Sequence, residues 1–113
     1  MAFLFKNLKV YQKGQEFYHE VASLVKGFPK GNYHIVDQIN RAALSISLNI
    51  AEGNGRFHKN ERNSFFRISR GSAFECVAIL EVCRGQGLIP EQKHAELLDA
   101  LDQISKMLTA MMK

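Results

Sequence analysis

Apolar residues recur along this chain at spacings of three and four, the repeat of an amphipathic helix, in four segments divided by clusters of glycine and proline. The first runs from about Asn7 to Lys26 and stops at Gly27-Phe28-Pro29-Lys30-Gly31, which supplies a helix stop and a turn. Asn32 is placed to cap the second, which continues to Glu52, where Gly53-Asn54-Gly55 offers left-handed backbone conformations that end it. A third begins near Lys59 or Asn60, carries Glu61 in its first turn and passes through Gly71 to about Arg84, with Gly85-Gln86-Gly87 closing it. Pro90, suited to the first helical position, opens a fourth that reaches the C-terminus. Four segments of roughly 20 residues with short connections make sequence neighbours pack side by side. The expected fold is therefore all-α: one domain, residues 1–113, forming an antiparallel up-down-up-down four-helix bundle.

The four faces differ. At about 100° per residue, Val10, Gly14, Phe17, Val21, Leu24, Val25 and Phe28 share one arc of the first helix, while Lys13, Glu16, Glu20 and Ser23 point away. The fourth behaves alike, with Leu97, Leu98, Leu101, Ile104, Leu108 and Met111 opposite Glu96, Asp99, Gln103 and Lys106. Each has one apolar face, as an outer helix of a bundle should. The second helix has two. Ile35, Ile39, Ala42, Ala43, Ile46 and Ile50 form a core stripe, yet Leu44, Leu48 and Ala51 fall on nearly the opposite side, and a polar stripe of Gln38, Arg41, Ser45, Asn49, Glu52 and Arg56 runs between. In the third, Phe65, Ile68, Ser72, Cys76, Ile79, Leu80 and Cys83 are expected inward, while Phe66, Phe74 and Val77 point elsewhere. Single exposed apolar residues are ordinary, but a patch supplied by two neighbouring helices marks an interface. The expectation is self-association through Arg41, Leu44, Leu48, Glu52, Phe66, Phe74 and Val77.

Composition sharpens this in two respects. No stretch is long and apolar enough for a membrane span, and residues 1–9 lack the pattern of a cleavable leader, so a cytoplasmic protein with no membrane partner is expected. The net charge of +4 is uneven: residues 51–71 hold five basic and two acidic groups, whereas residues 72–113 hold four and six. Arg56, Lys59, Arg62, Arg67 and Arg70 thus form the one concentrated basic segment, able to meet phosphates of RNA or DNA or an acidic protein surface.

Catalytic patterns are weak by comparison. Glu52 and Glu75 could be drawn as paired carboxylates, but arginines at 41, 56 and 70 on the same helices favour structural ion pairing. Gly53-Asn54-Gly55-Arg56 lacks the strand and the Lys-Ser/Thr of a phosphate loop. His19, His34, His58 and His94 are isolated, Cys76 and Cys83 stand two turns apart and too distant for a disulfide, and Ser72 lacks a nucleophile-elbow context. No metal, no cofactor and no enzymatic activity are expected.

Two stretches carry a likeness to known proteins: Asn49-Ile50-Ala51-Glu52-Gly53-Asn54-Gly55-Arg56 and Ser69-Arg70-Gly71-Ser72-Ala73-Phe74-Glu75. With Phe5 to Lys13 at the start and Gly87-Leu88-Ile89 before the last helix, they resemble the four-helix bundle family first noted as reading frames within intervening sequences of bacterial 23S ribosomal RNA genes. The resemblance implies an antiparallel bundle assembling as a ring-like homo-oligomer, commonly a pentamer. It also extends to accessory proteins of diversity-generating retroelements, which are similar in build and partner with a reverse transcriptase and nucleic acid. Asn54, Tyr11 and Ser69 depart from the residues frequent in that family.

Overall fold

The computed structural model describes residues 3–113. A 3-10 turn, Leu4–Asn7, leads into four helices: α1 Lys9–Val25, α2 Tyr33–Asn54, α3 Lys59–Gly85 and α4 Glu91–Met111. No strand occurs among the described residues. In contact are α1 with α2, α2 with α3, α3 with α4 and α4 with α1, so α2 and α4 lie diagonally across the bundle. The molecule measures 44 × 26 × 20 Å. Its accessible surface of 6977 Å² is somewhat more than the roughly 6,300 Å² expected for a compact chain of this mass.

Cross-helix pairs fix the register. Along the α2–α3 seam, Gln38 meets Glu75, Ser45 meets Ser72 and the Ile46 carbonyl meets Ser69, so numbers rise on one helix as they fall on the other. The same holds between α3 and α4, where Asn63 donates to the Met112 carbonyl, Arg70 to Ser105, and Glu81 abuts His94. Between α1 and α4, Lys13 pairs with Gln103 and Lys93 with Glu20. The core they surround includes Phe17, Ile39, Ile46, Leu80, Leu101 and Ile104, each no more than 1% exposed.

Helix ends are set differently from the expectation at three points. Among the described residues, positive φ occurs only at Gly31 (+96°) and Gly87 (+72°); Gly55 is right-handed at φ −79°, and α2 runs on through Gly53 to Asn54. Gly53 is required for space instead. A β-carbon there would lie 2.8 Å from Phe66 Cε1, 2.9 Å from Phe65 Cβ and 3.0 Å from the Arg62 carbonyl oxygen, so α3 crosses α2 with nothing but hydrogen between them. Asn32 precedes α2, but its side-chain amide donates to the Pro29 carbonyl at 2.8 Å and caps no helical N–H. Pro90 is the residue before α4, with extended ψ of 154°, one step outside the first helical position.

At the end of α3 the expected glycine stop is built as a two-bond C-terminal cap. Leu88 N–H donates to the Cys83 carbonyl at 2.9 Å and Gly87 N–H to the Arg84 carbonyl at 3.0 Å, which needs the left-handed backbone that Gly87 provides. Leu88 then packs against the core.

Candidate functional site

The outer side of α2 carries Arg41, Leu44, Leu48 and Glu52, spaced by three and four residues so that all four share a face. Leu44 is 39% and Leu48 56% exposed on the protomer. At the ends of this ridge, Arg41 bonds its neighbour Asp37 at 3.0 Å and Glu52 bonds Arg56 at 3.0 Å. Phe3, just before the leading turn, and Leu4, its first residue, border Ala51 and Glu52, extending the exposed apolar surface beyond Leu48.

A second apolar surface lies between α3 and α4. Phe74, 57% exposed, and half-buried Val77 form one wall of a groove of about 410 Å³, with Leu98 and Asp102 opposite and Ala73 and Leu101 beneath. Arg70 lies at one end, its guanidinium 5.1 Å above the Phe74 ring and its Nε 3.4 Å from Ser105 Oγ. Glu81 stands one turn beyond Val77 at the other end, with Oε1 3.3 Å from the Nε2 of buried His94. The sequence expectation of one shared patch is therefore corrected: Leu44 and Leu48 belong to one side of the protomer, Phe74 and Val77 to another.

Phe66 belongs to neither. It is 4% exposed and packs in the core against Gly53, whereas Ile68, expected inward, is 51% exposed. The true inward stripe of α3 passes through Asn63, Phe66, Ser69, Ala73, Cys76 and Leu80. Ser69 fits there because its hydroxyl donates to the Ile46 carbonyl at 2.7 Å, satisfying the one polar atom it buries. Ile79, expected inward, is only half-buried, and exposed Val82 was given no place from the sequence; both line a smaller concavity with Ile35 and Gln38 of α2, and their spacing from Ile68 along α3 was the available sign.

The basic segment separates into engaged and free cations. Arg56 is held by Glu52, lies 3.8 Å from Glu61 and covers the Phe65 ring at 4.8 Å. Arg62 donates to the Phe57 carbonyl at 2.7 Å and so braces the turn between α2 and α3. Lys59 and Arg67 are exposed and carry no ion pair among the described residues. Glu52 and Glu75 do not come together. Glu75 accepts from Gln38 at 2.6 Å, and Glu52 sits fourteen positions past Gln38, about 21 Å farther along α2. Arg41 and Arg70 pair with neither carboxylate. Both cysteines are buried free thiols, and burial, with the Glu75 charge adding a smaller push, raises the Cys76 pKa to about 12. Among the described residues no helix is long and apolar enough to cross a membrane.

Among solved structures, a protein of unknown function from the S23 ribosomal protein family of Bacteroides thetaiotaomicron VPI-5482 superposes with a TM-score of 0.80 at 22% identity, covering 92% of this chain and 98% of that one. This similarity is one of fold. No curated protein matches the sequence. The family described as 23S rRNA-intervening sequence protein matches residues 6–110, from the leading turn to the last turn of α4. The chain belongs to the 23S rRNA-intervening sequence protein family.

Proposed function

We propose that the protein is a non-enzymatic assembly protein, an antiparallel up-down-up-down bundle whose copies join into a ring-like homo-oligomer that serves as a binding or scaffold element. The observation that carries this is the pair of dissimilar apolar surfaces on different sides of one protomer, the Leu44 and Leu48 ridge and the Phe74 and Val77 groove. Two unlike surfaces that cover each other make a head-to-tail contact, and such contacts close into rings when the rotation allows. The opposed numbering of every cross-helix pair supports the antiparallel bundle. A pentamer, the form the family resemblance implies, has five times the protomer mass of 12.8 kDa, about 64 kDa. Light scattering should find this mass at micromolar concentration, and Leu48→Asp should lower it to that of the protomer. A monomeric wild type overturns the proposal.

A second function, binding RNA or DNA beside a polymerase or reverse transcriptase, is favoured by one observation: Lys59 and Arg67 on α3 are exposed and carry no ion pair among the described residues. Repetition around a ring would raise avidity without new contacts. The Lys59→Glu, Arg67→Glu variant should then weaken binding to structured RNA, and wild-type affinity should fall steeply with salt as counterions compete for phosphates. Arg62→Glu is a poorer probe because it also unbraces the α2–α3 turn. Affinity insensitive to salt and to both substitutions removes this function while leaving self-association standing.

A further inference from the structure

The ridge and the groove carry matching charge patterns, a feature that goes beyond their being apolar. Along α2 the order is Arg41, Leu44, Leu48, Glu52; along α3 it is Arg70, Phe74, Val77, Glu81. Each series begins with an arginine and ends with a glutamate eleven positions later, which is about 16.5 Å on a helix and within about 20° of the same face. Each also places two apolar side chains in the middle. Both acidic ends are well exposed, with side-chain accessibilities of 54% for Glu52 and 56% for Glu81, and Arg41 is more open still at 75%.

We propose that the α2 ridge of one copy seats in the α3–α4 groove of the next with the two helices running in opposite directions, Arg41 against Glu81, Leu44 against Val77, Leu48 against Phe74 and Glu52 against Arg70. This rests on the self-association proposed above and specifies its register. The opposite orientation sets Arg41 on Arg70 and Glu52 on Glu81, like charge on like at both ends, and is selected against. The convex leucines also suit a concave site of about 410 Å³ with an apolar floor of Ala73 and Leu101. Arg41 gives up only an exposed bond to Asp37 in reaching a new carboxylate. A ridge-on-ridge pairing also brings Arg41 to Glu52, but it stops at two copies and leaves the groove bare.

Charge exchange tests the register, with the helical content of every variant checked by circular dichroism. Arg41→Glu and Glu81→Arg should each lower the assembled mass, and the double variant should restore it. Mixing tests the two-surface geometry: Leu48→Asp loses its ridge and Phe74→Asp its groove, so each alone should be a protomer. Together they retain one intact ridge and one intact groove, and the mixture should form a dimer of twice 12.8 kDa, about 26 kDa. If wild type assembles but Phe74→Asp assembles equally well, the contact is ridge-on-ridge and the register is overturned while self-association survives. Failure of the double variant to recover mass, with no dimer in the mixture, overturns it too. A monomeric wild type removes both proposals together.

Discussion

At Gly53 a single hydrogen atom is all the space allows, since an added β-carbon would fall inside van der Waals distance of Phe66, Phe65 and the Arg62 carbonyl at once. Two of these are a side-chain root and a backbone atom, which cannot swing aside. Alanine is favoured over glycine in a helix by about 1 kcal/mol, but forcing atoms into a filled seam costs about 1–3 kcal/mol, so Gly53→Ala should destabilise the protein in urea unfolding. Gly71, also within a helix, has nothing within 4 Å of the same built atom. Gly71→Ala on the dissociated Leu48→Asp background should therefore stabilise by about 0.5–1 kcal/mol. The opposite signs distinguish space from backbone freedom. Cys76 has its own signature. Its pKa rises from 9.0 to about 12 because the thiolate would be formed out of water. Below pH 9.0 both folded and unfolded thiols are neutral; between pH 9.0 and about 12 only the unfolded one has lost its proton, so the unfolded state binds fewer protons and stability falls as pH rises through that window. The thiol should accordingly resist disulfide-exchange reagents at pH 8 in the folded protein and react once denaturant exposes it. Rapid labelling of Cys76 in the folded protein contradicts this.

At the scale of helices, α1 and α4 were legible because a one-sided apolar stripe has only one way to face a core: Val10, Phe17 and Val21, and likewise Leu97, Leu101 and Ile104, are buried where their periodicity puts them. The core stripe of α2 was legible for the same reason. The register of α3 was not. Hydrophobicity favours Ile68 over Ser69 as an inward residue, yet Ile68 is exposed and Ser69 fully buried. The close approach at Gly53 decides this: small residues let the helices meet, and Phe66 fills the space that Gly53 leaves. Such an exchange of bulk for closeness is a property of two helices together, invisible in the periodicity of one. His94 is a like case, a polar residue on the apolar face of α4 that is buried beside Glu81. The candidate surface was half legible. The exposed leucines of α2 followed from their two-sided pattern, but the groove is shaped by α3 and α4 jointly, so its separation from the ridge required the fold. If the polar seam is structural, Ser69→Ala should cost about 0.5–1.5 kcal/mol through loss of the 2.7 Å bond to Ile46, with no change in assembled mass. Loss of assembly in that variant would mean the α2–α3 seam bears on the subunit contact.

For the molecule as a whole, the proposed assembly through exposed Leu48 and Phe74 predicts that the stability of the fold depends on how much protein is present. A lone protomer leaves these groups in water on both sides, whereas each copy in a closed ring has its ridge and its groove covered. If unfolding releases single chains, dilution favours the unfolded state, because several independent particles gain freedom for each assembly lost. A hundredfold dilution of a pentamer weakens each protomer's folding by about 2 kcal/mol, since each tenfold change is about 1.4 kcal/mol and four of five chains are freed per ring. For a chain of this length that lowers the thermal midpoint by roughly 10 °C. Scanning calorimetry or circular dichroism across that concentration range should show the shift for wild type and none for Leu48→Asp, which unfolds as a protomer at every concentration. The variant should also retain its helical signal, because Leu48 is more than half exposed and no core contact depends on it. A wild-type midpoint that stays constant on dilution would place the ridge and groove in water throughout, and the charge match between α2 and α3 would then have no second helix to meet.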